Sequence, residues 1–125
     1  MIPIEVLGCS GYSKSFPINT SKTYKAVFSV GIGRDKNKQD IGYGTALMLR
    51  DNAILHASDI FGGITVTENF GGWKHEVKVI TEESWDFTII SDKRDKFREF
   101  GTFLRDLYMQ SAVLLAVTEV ESELI

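Results

Sequence analysis

One cysteine and two histidines are the side chains of this sequence best suited to chemistry near neutral pH. Cys9 stands in GCSG, between small residues that leave a thiolate accessible, while His56 and His75 each have a carboxylate nearby, in HASD and KHE. A cysteine nucleophile needs a base that accepts its proton. Spacing alone does not show whether either histidine approaches Cys9, so the competing interpretation is a small apolar residue at a strand end.

Neither histidine forms a dyad with its neighbouring carboxylate if the chain is extended there. Consecutive side chains of a strand point to opposite faces of the sheet. Glu76 then lies opposite His75, and Asp59 lies opposite His56. We therefore expect His75 to be a hydrogen-bonded core or rim residue rather than a catalytic base or a switch.

The glycines of GIGRDKNKQDIGYG suggest a phosphate-binding loop, but the segment lacks the third glycine of GxGxxG, and the chain contains no GxxxxGK[ST]. We predict no helix directly after it, and such a helix would supply the amide donors that hold a phosphate. One cysteine and two histidines are also too few for a structural zinc site. The sequence therefore predicts no catalytic residue, no metal ion and no cofactor.

The segment GTALMLRDNAILHASD has a Gly-Thr pair, a central Asp-Asn and a final Asp. In this pattern it resembles the first hairpin of proteasome-type N-terminal-nucleophile hydrolases, in which the Gly-Thr pair opens a strand. The resemblance covers about sixteen residues. It implies that Thr45, released as an N-terminus by cleavage, is a nucleophile and that Asp59 is its partner.

The composition favours one packed domain over residues 1–125. Hydrophobic residues make up 43% of the 125 residues and aromatic residues 11%, more than a disordered chain carries. A single cysteine excludes an internal disulfide and favours a reducing, cytoplasmic location. We find no signal peptide and no apolar run of membrane-spanning length, so we expect neither secretion nor membrane insertion.

The charge is distributed unevenly along the chain. Residues 1–62 carry seven basic and five acidic side chains, whereas residues 63–125 carry seven basic and twelve acidic ones. A nucleic-acid-binding protein usually shows a basic stripe with aromatic residues between the charges, and none is present. The sequence therefore favours a basic protein partner over a nucleic acid or a membrane.

Several short runs have the alternation of strands. The clearest is Tyr24 to Ile32, in which every second residue is apolar; these residues are Ala26, Phe28, Val30 and Ile32. Ile2 to Cys9 is a plausible first strand. GYGTALMLR and AILHASDIF read as a hairpin that turns at Asp51-Asn52. Two double glycines, at 62–63 and 71–72, predict further turns around ITVTENF and WKHEVKVI. A polar break at Glu82 to Ser84 then precedes WDFTIIS.

From Asp92 onward the period becomes that of a helix. The apolar positions recur three and four residues apart; this stripe is Phe97, Phe100, Leu104, Leu107 and Ser111. Ser91 or Asp92 is the expected cap, and Gly101 suggests close packing on the sheet. Residues 112–125 fit either a helix or a last strand, and we favour a helix that ends near Val117, followed by a frayed acidic tail. The predicted fold is α+β, with a meander-like antiparallel sheet of five to seven strands packed against one long C-terminal amphipathic helix.

Three functional hypotheses remain. The first is a non-enzymatic cytosolic binding protein, of the inhibitor or immunity type, that masks a basic protein with its acidic second half. Aromatic residues near turns support this hypothesis because they often anchor interfaces; they are Tyr12, Phe16, Tyr43, Phe70 and Trp73. The predicted contact residues are Phe70, Trp73, His75, Glu82, Glu83 and Asp86.

The second hypothesis is a small-molecule-binding or hydrolytic domain with a pocket between sheet and helix. It would use His56 or His75 together with Cys9 or Thr45. The third is a subunit that self-assembles into a homo-oligomer, because an open sheet has edges available for pairing.

Overall fold

The computed structural model describes residues 22–75 and 78–125, and it describes residues 70–75 and 78–82 by their backbone alone. The elements in chain order are strand β1 (Thr23–Gly31), helix α1 (Tyr43–Phe61), strands β2 (Thr65–His75) and β3 (Lys78–Ser91), a 3₁₀ turn (Arg94–Lys96), helix α2 (Phe97–Leu107) and strand β4 (Leu114–Val120). The predicted strand Ile2 to Cys9 lies outside the described residues.

The four strands form one antiparallel sheet in the order β2-β3-β1-β4. Together with the two helices this is the βαββαβ arrangement of a ferredoxin-like fold. The predicted α+β class and antiparallel sheet are confirmed. The described part of the chain has four strands rather than five to seven, and two helices rather than one. The order is not a meander, because β1 lies between β3 and β4 instead of beside β2.

Both helices cover the same face of the sheet, and the core lies between the helices and that face. The alternation predicted for the first central strand is confirmed, since Ala26, Phe28 and Val30 of β1 are fully buried. Phe28 meets Phe97 and Phe100 of α2 edge-on, with ring centroids 6.3 and 5.2 Å away. The other large buried residues come from two elements. Trp85, Phe87 and Ile89 alternate along β3, and Leu104 and Tyr108 lie on α2 or just after it.

Gly101 brings α2 close to the sheet, as the sequence suggested. A Cβ atom built on this residue would lie 3.4 Å from the Phe28 ring. A larger side chain there would push the helix away from β1, because a packed core has little room to adjust.

The predicted hairpin at 42–61 is wrong, because Tyr43–Phe61 is a single helix. Its fully buried residues are all alanines, at positions 46, 53 and 57, whereas Met48 and Leu55 are exposed. A face of small residues gives a weak periodic signal, whereas Ala, Leu and Met are all strong helix formers. Asp51 and Asn52 are exposed positions in mid-helix and form no turn.

Two further predictions depended on that hairpin. Thr45 lies in the first turn of α1 and not at the start of a strand, so the hairpin of N-terminal-nucleophile hydrolases is absent from this segment. A helix does begin at Tyr43, at the end of GIGRDKNKQDIGYG, contrary to prediction. Residues 34–40, RDKNKQD, form a charged turn in which the Asp35 carboxylate accepts hydrogen bonds from the amides of Asn37 and Gln39 at 2.8 and 3.0 Å.

The two double glycines do not form the predicted hairpin turns. Gly62 ends α1 with φ of 90°, and its amide donates to the Ser58 carbonyl. This left-handed cap position favours glycine. Gly71 and Gly72 lie inside β2, paired with residues 82 and 81 of β3. Glycine permits a turn without imposing one. Strand β2 continues through Gly71-Gly72, and β3 continues through the polar break predicted at Glu82 to Ser84.

The amphipathic helix is confirmed, but it is shorter than predicted. Phe97, Phe100 and Leu104 are buried. The predicted cap at Ser91 or Asp92 is wrong, because the helix begins at Phe97 without a side-chain cap. The Ser91 hydroxyl instead accepts a hydrogen bond from the Lys93 amide at 3.0 Å, before the 3₁₀ turn. The helix ends at Leu107, so Ser111 lies outside it.

The predicted extension of that helix to Val117 is wrong, because Leu114–Val120 forms β4. The local pattern fits both structures, and pairing with β1 selects the strand. Residues 121–125 carry no regular structure.

Candidate functional site

Strands β2 and β3 extend beyond the rest of the sheet as a two-stranded ribbon. Their register runs from Thr65↔Thr88 to His75↔Lys78, whereas β1 pairs with β3 only from Ser84 to Ser91. Six paired positions, from Phe70↔Glu83 to His75↔Lys78, therefore lie past the β1 ladder. At the usual rise of a strand they span about 20 Å. We call this segment the ribbon.

Most of the predicted contact residues belong to the ribbon. Five of the six lie on its two strands, namely Phe70, Trp73, His75, Glu82 and Glu83. Asp86 lies just below it, within the four-stranded part, where its carboxylate accepts a hydrogen bond from the Ser29 hydroxyl at 2.8 Å. Five of the predicted residues thus share one ribbon. The sequence assigned Phe70, Trp73 and His75 to a hairpin around Gly71-Gly72, and Glu82 and Glu83 to a polar break.

His56 packs between the two helices. Its ring is stacked on Phe103 of α2, with centroids 4.0 Å apart and 13° between the planes. Phe100 lies next to this stack, 6.0 Å from His56. The proposed alternation against Asp59 does not apply, because both residues are on a helix. Cys9, the other half of the hypothetical pair, lies outside the described residues.

We expect His56→Ala to lower the free energy of unfolding by about 1 kcal/mol, the size of a stacked aromatic pair. His56→Phe should restore most of that loss, because it keeps a flat ring against Phe103. Urea unfolding of the three proteins measures the difference. Equal stability of the alanine variant and the wild type would contradict this packing role.

A polar cluster that the sequence did not predict lies beside the base of the ribbon. The Tyr43 hydroxyl, at the start of α1, donates to Glu68 Oε2 of β2 at 3.1 Å. This hydrogen bond, and then the negative charge of Glu68, raises the pKa of Tyr43 above its usual value. The Tyr43 ring meets Trp85 of β3 edge-on, at 6.3 Å. Tyr43 is one of the aromatic residues that the sequence suggested as interface anchors, and its side chain is 58% exposed.

Arg50 completes this cluster from the next turns of α1. Its guanidinium lies 5.6 Å from the centroid of the Trp85 ring, a distance typical of a cation–π contact. Its Nε is a buried polar atom without a hydrogen-bond partner among the described residues. The cluster therefore combines a carboxylate, a phenol that stays protonated and a guanidinium. Pairs far apart in sequence, such as Tyr43 and Glu68, leave no local signal.

A cleft lies between α2 and β4, at the opposite edge of the sheet from the ribbon. Its volume is about 350 Å³. The lining residues come from one side of the helix, the following loop and the edge strand; they are Arg98, Gly101, Thr102, Arg105, Ser111, Ala112, Val113 and Leu115. We call it the α2–β4 cleft. It is a pocket between helix and sheet, but neither His56 nor Thr45 lines it.

Within residues 22–75 and 78–125, no group of three potential metal ligands comes together. In the same part of the chain, no helix has the length and apolar character needed to cross a membrane.

Comparisons with known proteins identify the fold. No protein-family model matches the chain, and no curated protein matches its sequence. A phage SAM lyase in complex with S-methyl-5'-thioadenosine is 18% identical, with a TM-score of 0.57 over 86% of this chain and 88% of the lyase. The phage SAM lyase in its apo state is 21% identical, with a TM-score of 0.56 over 85% and 87% of the two chains.

The periplasmic divalent cation tolerance protein CutA from Archaeoglobus fulgidus is 8% identical, with a TM-score of 0.55 over 82% of this chain and 87% of CutA. At such low identities these similarities establish the fold alone. A cation tolerance protein and a lyase both have it, so the architecture is compatible with a small binding protein and equally with an enzyme.

Proposed function

We propose that this chain is a small binding protein that engages a protein partner through the ribbon. The observation that carries the proposal is the projection of six paired positions beyond the four-stranded part of the sheet. A ribbon of this length supports the proposal because its paired positions lie away from the packed core. In addition, β2 is an edge strand, and an edge strand offers main-chain groups to which a partner strand can pair.

The charges near the base of the ribbon favour a basic partner. Four acidic residues lie within a few register positions of one another; they are Glu68, Glu82, Glu83 and Asp86. Complementary charge speeds encounter and selects partners. An inhibitor or immunity-type role, in which this surface masks a basic protein, is the specific form of the proposal.

Reversing the charge of the ribbon base tests this proposal. We expect Glu82→Lys with Glu83→Lys to abolish capture of a host protein that the wild-type chain retains from a native lysate at low salt. Asp92→Lys with Asp95→Lys is the matched control, because it changes the net charge equally at exposed positions before α2. Retention of the same proteins by all three baits would refute the electrostatic role of the ribbon.

Cleavage of SAM is a second candidate function. It is supported by the fold shared with the phage lyase over more than four-fifths of both chains and by the Tyr43–Glu68 pair, a hydrogen-bonded pair of ionisable side chains with a raised tyrosine pKa. Shifted pKa values are common where ionisable groups act on a ligand.

Incubation with SAM and chromatography for S-methyl-5'-thioadenosine tests this candidate. If it holds, the product forms in proportion to protein concentration, and Glu68→Gln and Tyr43→Phe each reduce the rate. Lys25→Ala, on the sheet face away from the helices, should leave the rate unchanged. Absence of product from a folded wild-type protein would eliminate this function.

A further inference from the structure

We infer that the α2–β4 cleft binds a small organic anion, a phosphate or carboxylate attached to an apolar group. Its volume of about 350 Å³ falls within the range of about 300–1,000 Å³ that is typical of small-molecule sites. The inference goes beyond the proposed function, because the cleft and the ribbon lie at opposite edges of the sheet.

Two arginines set the charge of the cleft. Arg98 and Arg105 are seven residues apart on α2, so they share one face of the helix about 10 Å from each other along its axis. None of the lining residues in the described part of the chain is acidic, although the whole chain has a net charge of -3. The cleft is therefore a locally positive site on an acidic protein.

The arginines retain the capacity to bind a ligand. Arg98 forms no ion pair within the described part of the chain. Arg105 contacts Asp106 through Nε at 3.1 Å, and this exposed pair contributes little to stability. A guanidinium has five N–H donors in a planar fork that matches the oxygens of a carboxylate or phosphate.

The remaining lining residues determine what else the ligand must contain. Hydroxyls of Thr102 and Ser111 add polar groups, whereas Val113 and Leu115 supply apolar surface. Thr102 already donates its hydroxyl proton to the Arg98 carbonyl at 3.1 Å, so its oxygen is left to act as an acceptor. Gly101 lines the helix side of the cleft. These features favour an anion with an apolar part over an inorganic ion.

Chemical-shift titration of the ¹⁵N-labelled protein tests the inference with three probes, namely phenyl phosphate, benzoate and benzyl alcohol. We expect at least one of the two anions to produce saturable shifts of the Gly101, Thr102 and Ala112 amides. Benzyl alcohol should not produce them. No saturable shift with either anion, or equal shifts with benzyl alcohol, would overturn the inference.

Variants then locate the bound anion. Arg98→Ala and Arg105→Ala should each weaken binding about tenfold, the cost of one charge-assisted hydrogen bond. Lys25→Ala removes the same charge from the opposite sheet face and should leave binding intact. Ala112→Phe should weaken binding by filling the cleft while both arginines remain. An equal loss in the Lys25 variant would refute the site.

The double reversal at Glu82 and Glu83 separates this inference from the proposed function. It should leave anion binding unchanged, because the ribbon and the cleft have no residue in common. Loss of anion binding in that variant would contradict an independent site at the cleft.

Discussion

Phe28→Ala should lower the free energy of unfolding by about 3–5 kcal/mol, the range for truncating a buried phenylalanine. Phe28 lies at the centre of the structure. It is fully buried on β1, its ring contacts two phenylalanines of α2, and Gly101 approaches it closely. The helix cannot fill the space left behind without moving the whole of its packed face. Urea unfolding followed by circular dichroism measures the loss.

Val27→Ala is the matched control for this prediction. Val27 is the preceding residue of the same strand, but it faces away from the helices and is only partly buried. Its truncation should cost about 1 kcal/mol, in proportion to the smaller apolar area that it buries. Equal losses at the two positions would show that α2 does not pack on β1 as described.

Tyr108→Ala should cost a similar amount, about 3–5 kcal/mol. Tyr108 is 1% exposed and lies just after α2, with its ring 6.2 Å from Phe87. Its hydroxyl donates to the Ala46 carbonyl of α1 at 3.1 Å. The side chain thus fills the core and links the end of one helix to the start of the other. Thermal or urea unfolding measures the effect.

Tyr108→Phe separates the hydrogen bond from the packing. It should cost only about 1 kcal/mol, the net value of a typical hydrogen bond. Burial raises the pKa of the Tyr108 phenol, so the unfolded state releases this proton at lower pH than the folded state does. The wild type should therefore lose stability as pH rises above about 10, the ordinary tyrosine value.

The phenylalanine variant lacks this phenol, so its stability should fall less steeply over the same pH range. An equal decline in the two proteins would show that the phenol of Tyr108 ionises equally readily in the folded and unfolded states.

The two functional candidates predict different properties of the same molecule. A binding protein needs the ribbon and its charges, whereas a lyase needs a small-molecule site beside Tyr43 and Glu68. Because the ribbon base adjoins that pair, the reversal at Glu82 and Glu83 should also be assayed for SAM cleavage. Loss of partner capture with unchanged cleavage would assign the two activities to separate surfaces.

Strand β1 and helix α2, which pack against each other, could be predicted from the sequence alone. The alternation from Tyr24 to Ile32 and the stripe of Phe97, Phe100 and Leu104 each carry large apolar residues at the correct period. Large side chains give a strong periodic signal because their burial dominates the stability of the element. The α+β class and the helix on the sheet face follow from these two segments. The antiparallel sheet was predicted correctly, but from hairpin turns at Asp51-Asn52 and at the double glycines that the structure does not form.

Helix α1 could not be recognised in the same way. Its inward face is built from alanines, and its exposed face carries Met48 and Leu55, so the apolar pattern does not mark the buried side. Alanine is selected there by the close approach of the neighbouring elements, and that approach exists only in the folded structure. Gly71 and Gly72 predict a turn that is not formed, because their sequence does not show that they pair with β3.

Only the tertiary structure decided which residues meet. Strand β4 exists because Leu114–Val120 pairs with β1, although the same residues are compatible with a helix. The ribbon exists because β2 and β3 are longer than the strand beside them. The folded chain also brings Tyr43 of α1 to Glu68 of β2. It sets Arg98 and Arg105 of α2 beside β4 in the same way. Contacts between distant segments depend on pairing and packing free energies summed over the whole fold, whereas sequence periodicity reports only which local faces are apolar.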